Sequence, residues 1–183
     1  FTFWAFSTEN WKRDEEEIKA IFDIFRMGLS TLAINLINSG ARFRLLGDIN
    51  KFPKDIAHKT LDLISKSKGN TTITTTFALN YGGRDEILRA VKKIIKDKKK
   101  PEEVTEELFS SYLDTAGIPD PDLVIRTGGE KRLSGYLPWQ TVYSELIFTP
   151  TLFPDFTPQE LDKALAEYAD RDRRFGGDST SKK

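Results

Sequence analysis

Two short apolar runs, Phe1–Phe6 and Ala41–Gly47, bracket a stretch with helical spacing from about Asp14 to Asn38. This arrangement constrains the fold most, because strands alternating with long helices form a mostly parallel sheet covered by those helices. Ile18, Ile21, Phe22, Phe25, Leu29, Leu32 and Leu36 keep the three-and-four spacing of one apolar face. Asp14, Glu15, Glu16 and Glu17 crowd the first turn, where the helix dipole favours anions. Ile24, Met27, Gly28 and Ile34 lie off the main stripe, so the helix is apolar around more than half of its surface. Two readings stay open: a helix buried on two sides, or one that packs on a sheet and also walls an apolar ligand tunnel.

The alternation continues. A helix is expected over Lys54–Ser67, a Thr-rich strand over Thr71–Asn80, and helices over Arg84–Lys98 and Thr105–Thr115. Strands follow at Asp122–Arg126 and Ser144–Phe148. Thr157, Pro158, Gln159 and Glu160 form a capping box that starts a helix running to about Arg174, which Gly176 and Gly177 stop. The fold class is α/β, with a central sheet flanked by helices; residues 1–177 read as one domain and 178–183 as a disordered tail. Ligands in such sheets bind beyond the carboxyl ends of the strands.

Composition removes several function classes. Lys+Arg and Asp+Glu both number 28, which argues against a protein held to nucleic acid or anionic lipid by bulk charge. The absence of Cys excludes disulfides, iron–sulfur clusters and thiolate zinc, and a single His excludes His-rich metal centres. No apolar run is expected to approach the roughly 20 residues of a membrane span, so the chain reads as a cytoplasmic globular domain. The opening Phe1–Phe6 run has the character of a buried strand, so residues preceding Phe1 are expected.

Polar clusters follow four strand ends: Ser7–Arg13, Asp48–Pro53, Asn80–Arg84 and Arg126–Ser134. Parallel strands would put all four on one edge. In the last cluster Arg126 and Arg132 offer planar forks suited to phosphate oxygens, Ser134 adds a hydroxyl, and Gly128 and Gly129 are expected to offer N–H groups as an anion nest. An incidental surface loop is the competing reading. Ser7, Thr8 and Asn10 equally suit caps and turns, with Trp11 as a packing staple. Glu145 lies in the apolar run Tyr143–Phe148 and needs a partner, either a nearby Arg or a Mg²⁺ whose other positions substrate phosphates fill. His58 reads as a surface or boundary residue, and Lys92, Lys93, Lys96, Lys98, Lys99 and Lys100 as a solvated basic helix end, with a basic face for polyanions as the alternative. Interleaved aromatics for nucleic acid are missing.

Seven segments together resemble one family. FSTENWKR at Phe6–Arg13, LGD at Leu46–Asp48, NYGGR at Asn80–Arg84, IRTGGEKRLS at Ile125–Ser134, PWQ at Pro138–Gln140, YSEL at Tyr143–Leu146 and RRFGG at Arg173–Gly177 resemble the cis-prenyltransferases over essentially the whole chain. The resemblance implies a Mg²⁺-dependent enzyme that adds isopentenyl diphosphate to an allylic diphosphate such as farnesyl diphosphate, forming cis double bonds. It assigns Arg126, Arg132, Leu133 and Ser134 to isopentenyl diphosphate and Glu145 to magnesium. Ser7, Thr8, Glu9, Trp11 and Arg13 become substrate contacts and Asn10 and Arg13 catalytic groups, with Asn10 the family's proton acceptor. An amide is a feeble base, so Asn10 is expected to position the proton path. Gly176 is implied to reach a neighbouring subunit's site, hence a homodimer. Membrane contact is expected to be transient, peripheral and through the lipid product.

The chain also departs from the pattern. The family's Asp-Gly-Asn-Gly-Arg-Trp loop, with its catalytic aspartate, is not among these residues; it and the first strand and helix are expected before Phe1. A polypeptide beginning at Phe1 is accordingly expected to be nearly inactive. Gly135 and Pro138 stand where many members carry other residues and read as tolerated variation. The competing functions are a non-catalytic subunit of a heteromeric prenyltransferase, and an unrelated phosphate-binding α/β domain such as a phosphatase.

Overall fold

A nine-residue strand, Ile73–Tyr81, forms the middle of a three-stranded parallel sheet. With β1 (Thr2–Ser7) and β2 (Ala41–Leu46) on either side, this strand is β3, and the order is β1-β3-β2. The computed structural model describes residues 1–171. The chain divides into two compact units, Phe1–Gly117 and Ile118–Lys183.

In the first unit the connection between β1 and β2 is α1 (Glu15–Met27), a π-helical segment Gly28–Leu32 and α2 (Ala33–Asn38). The spacing over Asp14–Asn38 therefore does make one helical stretch, with one departure. A π turn holds an extra residue and rotates the apolar stripe. Its effect shows at Leu29, which packs against both core clusters: Phe6, Phe22, Ile49, Phe52, Ile56 and Leu79 in one, and Ala33, Ala41, Phe43 and Leu63 in the other. The stretch Glu15–Asn38 is 24 residues long and apolar enough, by length and composition only, to cross a membrane. That corrects the expectation that no run reaches such a length. One side of it nonetheless belongs to the core, where Ile18, Ile21, Phe22 and Phe25 pack around Phe6 and Phe52.

Helix α3 (Lys54–Lys66) joins β2 to β3, and α4 (Gly83–Lys96) and α5 (Glu106–Tyr112) follow. In the second unit β4 (Leu123–Arg126) pairs in parallel with β5 (Glu145–Phe148). Helix α6 (Pro158–Ala169) follows, with Thr157 Oγ1 accepting from Glu160 N at 3.4 Å. It ends earlier than the expected Arg174, because Asp170 N–H caps the carbonyls of Ala166 and Tyr168. The strands are parallel and helix-flanked as expected, but they lie in two sheets, so only three of the four polar clusters share one edge.

Candidate active site

At the carboxyl edge of the first sheet, three strand exits are tied together by side chains. Ser7 ends β1 and caps the 3₁₀ turn Thr8–Lys12. Glu9 N donates to Ser7 Oγ at 3.2 Å, and Ser7 N donates to Asn10 Oδ1 at 2.7 Å. Trp11 Nε1 donates to Asn80 Oδ1 at 2.8 Å, and Asn80 Nδ2 donates to the Asp48 carbonyl at 2.8 Å. Asn80 sits at φ 49°, a conformation that asparagine tolerates better than most side chains, and is only 2% exposed. Gly47, at φ 97°, lets β2 pass β3 closely: a Cβ there would lie 2.2 Å from the Leu79 carbonyl oxygen. Trp11 stands edge-on to Phe6 at 5.0 Å between ring centroids, anchoring the turn to the core.

The predicted residues therefore divide. Ser7, Asn10 and Trp11 are built into the turn, and Thr8 faces Gly82, where a Cβ would lie 2.4 Å from Thr8 Oγ1. Glu9 and Arg13 are exposed, with Arg13 Nη1 lying 3.4 Å from Glu17 Oε2.

Behind this edge lies a charged network. Arg89 grips Asp114 with two guanidinium nitrogens at 2.7 and 2.6 Å, and Asp114 Oδ2 accepts from Gly47 N at 2.8 Å. Glu86, 1% exposed, accepts from Tyr81 Oη at 2.6 Å and from Asp114 N at 2.9 Å. Burial pushes the Asp114 carboxyl up, but the hydrogen bonds and charge of Arg89, with Gly47 N–H, outweigh it and hold the group below its ordinary value. The Asp114 hydrogen bonds to Arg89 raise the guanidinium in turn.

In the second unit, Arg126 closes β4 and its Nη1 donates to Ser134 Oγ at 3.0 Å and to the Arg132 carbonyl oxygen. The loop thus folds back over its own first residue, with Leu133 half-buried. The Arg132 guanidinium is 63% exposed and pairs with Glu130. The two glycines do not act as expected: Gly128 N donates to the Thr151 carbonyl at 2.8 Å and Gly129 N to the Thr149 carbonyl at 2.9 Å. Those N–H groups extend the β4–β5 pairing and are not offered to an anion. An anion at this loop would meet side chains rather than these N–H groups.

Glu145 is paired. Its Oε2 accepts from Arg171 Nη1 at 2.7 Å, and Arg171 Nη2 donates to Glu167 Oε1 at 2.5 Å. The hydrogen bonds to Glu145 and then Glu167 hold the Arg171 guanidinium above its usual value. Register places Glu145 opposite Leu123 and Phe148 opposite Arg126, so Glu145 and Arg126 stand three residues, about 10 Å of strand, apart. Alternation also puts them on opposite faces. The structure thus gathers Arg126, the Arg132 backbone and Ser134, and keeps Glu145 apart. Among the described residues no group of three or more His, Asp or Glu side chains is placed to hold a metal. Glu145 fits Mg²⁺ only as a lone carboxylate, a mode in which phosphates and water complete the shell. Gly176 lies outside the described residues.

The prenyltransferase family model, whose description names undecaprenyl diphosphate synthase, matches residues 1–176. The chain belongs to the cis-prenyltransferase family. Isoprenyl transferases of Clostridium perfringens and Aquifex aeolicus are similar, 43% identical over 180 residues and 46% over 175; each match covers 96% of this chain, and 71% and 75% of the relatives. A probable undecaprenyl diphosphate synthase from Campylobacter jejuni superposes with TM-score 0.87 at 36% identity, covering 96% of this chain and 82% of that one. Lavandulyl diphosphate synthase from Lavandula x intermedia, in complex with dimethylallyl diphosphate, gives TM-score 0.91 at 33% identity, with 96% and 78% covered. This prenyltransferase is accordingly an enzyme of isoprenoid diphosphates.

Sequence reasoning missed three of its groups. Asn80 was legible as a polar residue at a strand end, but nothing local names Trp11, 69 residues away, as its partner. Asp114 lies 25 residues from Arg89, and Arg171 lies 26 from Glu145, so neither pairing leaves a periodic trace.

Proposed function

We propose that this prenyltransferase elongates an allylic diphosphate, such as farnesyl diphosphate, by successive cis additions of isopentenyl diphosphate, giving a polyprenyl diphosphate lipid-carrier precursor. The convergence of Arg126 Nη1 on Ser134 Oγ at 3.0 Å carries the reading, because it presents a guanidinium and a hydroxyl together at the end of β4. Arg126 and Ser134 bind the diphosphate of isopentenyl diphosphate, Arg132 swings from Glu130 to join them, and Leu133 lines the site. The dimethylallyl diphosphate held by the lavender relative is itself allylic, which supports an allylic co-substrate here.

When the allylic C–O bond breaks, negative charge grows on the diphosphate oxygens and positive charge on carbon. Glu145, with substrate phosphates completing the shell, would hold Mg²⁺, which would supply charge neutralisation at the leaving diphosphate. Arg126 and Arg132 hold the diphosphate of isopentenyl diphosphate, which the product keeps, while apolar walls exclude water from the carbocation. Ile24, Met27 and Leu32, exposed to 61%, 68% and 62%, offer such a wall to the growing hydrocarbon. Asn10 acts by position: its Oδ1 already accepts Ser7 N–H, which leaves its Nδ2 as a donor toward the substrate. Ser7, Thr8, Glu9, Trp11 and Arg13 complete the substrate-facing turn. We further place the enzyme in the cytoplasm as a single catalytic domain and a homodimer, with Gly176 serving the neighbouring site.

The test is incubation with farnesyl diphosphate, labelled isopentenyl diphosphate and Mg²⁺, with chain-length analysis of the product. Labelled polyprenyl diphosphate supports the reading. Label remaining in isopentenyl diphosphate, in the protein carrying whatever segments flank these residues naturally, overturns it.

A further inference from the structure

Helix α4 carries one broad apolar arc, buried along one side and exposed along the other, with half-buried Ile87 between them. Gly83, Glu86, Ala90 and Ile94 are buried. Leu88, Val91 and Ile95 stand away from them, exposed to 58%, 38% and 68%. At about 100° per residue these three fall within roughly 60° of one another, a continuous row on the outer face. Lys92 and Lys96 run along one flank of that row, and Lys98 and Lys100 follow just past the helix.

None of those four lysines has an ion-pair partner among the described residues, and three of the neighbouring acids are engaged elsewhere. Asp85 pairs with Arg89 at 2.7 Å, Asp97 accepts from Tyr112 Oη at 2.8 Å, and Glu103 lies 3.4 Å from Lys99. Unpaired cations beside exposed branched aliphatics match the surface of an anionic bilayer. There, apolar side chains enter the acyl boundary and ammonium groups reach up to lipid phosphates. An acidic protein groove would match the lysines but not so long an apolar row.

We propose that the outer face of α4 docks this protein on anionic lipid bilayers through Leu88, Val91 and Ile95, with Lys92 and Lys96 binding lipid phosphates. The inference goes beyond the elongation reading and needs no catalysis, so the two fail separately; together they would give the hydrocarbon product a surface to leave into.

Flotation of the protein with phosphatidylglycerol-rich and with pure phosphatidylcholine vesicles at low salt tests it. The protein is expected to float with the anionic vesicles alone. Lys92→Ala with Lys96→Ala should weaken that partition roughly 30-fold, at about 1 kcal/mol per lysine. Leu88→Gln with Ile95→Gln should weaken it roughly tenfold, since each change removes a buried branched side chain. Neither pair is expected to alter prenyl transfer in detergent. The proposal is overturned if the parent protein stays with the soluble fraction, or if both pairs float like it. It is equally overturned if the glutamine pair lowers the oligomeric mass, which would show that the row meets another copy.

Discussion

Arg171 Nη1 donates to Glu145 Oε2 at 2.7 Å, so the carboxylate assigned to the metal is already held by a cation from just beyond α6. In the proposed metal role, Mg²⁺ and Arg171 would compete for this carboxylate. Arg171→Gln should therefore lower the Mg²⁺ concentration needed for half-maximal elongation several-fold, whereas Glu145→Gln should raise it by at least tenfold. The side chains are 33% and 24% exposed, so loss of the pair should cost no more than about 1 kcal/mol of stability. Magnesium titrations alongside thermal denaturation separate the two effects; a metal requirement unmoved by either substitution would remove Glu145 from the metal site.

Arg132 is restrained by Glu130 in an exposed ion pair. Glu130→Gln should release it and tighten isopentenyl diphosphate binding by up to about fivefold at low salt, with the gain fading as salt rises. Calorimetric titration at two ionic strengths measures this. Weaker binding in Glu130→Gln would mean that the pair holds Arg132 in its working position.

Asn80 bonds both Trp11 and Asp48 from a site only 2% exposed. Asn80→Ala leaves the indole N–H and the carbonyl without their partner and should destabilise the first unit by about 2–4 kcal/mol. Urea denaturation followed by Trp fluorescence reads the loss directly. A change below about 0.5 kcal/mol would show that the three strand exits are not held together through this residue.

Asp114 is held below its ordinary value despite burial, so the unfolded chain binds its proton at higher pH than the folded one. Its stabilising contribution is full above about pH 4 and disappears as pH falls through the lower folded value. Asp114→Asn should lower stability at pH 7 by about 1–3 kcal/mol, because Arg89 keeps Asp85 but loses its two-pronged partner, and should flatten the acid limb of the pH–stability curve. Chemical denaturation from pH 3 to pH 7 checks both.

Much of this arrangement is legible in the order of residues, and the exceptions share a cause. Local spacing reveals β1, α1, β2 and β4, since a strand or amphipathic helix repeats its signal every few residues. The π segment Gly28–Leu32 escapes, because its extra residue answers a tertiary need, the passage of Leu29 between two core clusters. Gly128 and Gly129 have the composition of an anion nest, yet Thr149 and Thr151 capture their N–H groups from the strand exit beside them. Glu145 is recognisable as a carboxylate in need of a partner, whereas the choice of Arg171 depends on how α6 ends. Residue type announces chemistry; the sharing of hydrogen-bond capacity is decided between distant segments.

Calorimetric titration of isopentenyl diphosphate into the parent protein and into Arg126→Ala tests the diphosphate site most directly. Loss of the guanidinium should weaken binding by about 10–100-fold, the range of one or two charge-assisted hydrogen bonds, and Ser134→Ala by no more than about tenfold. Equal affinity in the parent and in Arg126→Ala would contradict the account, because the loop after β4 would then not be where the diphosphate is held.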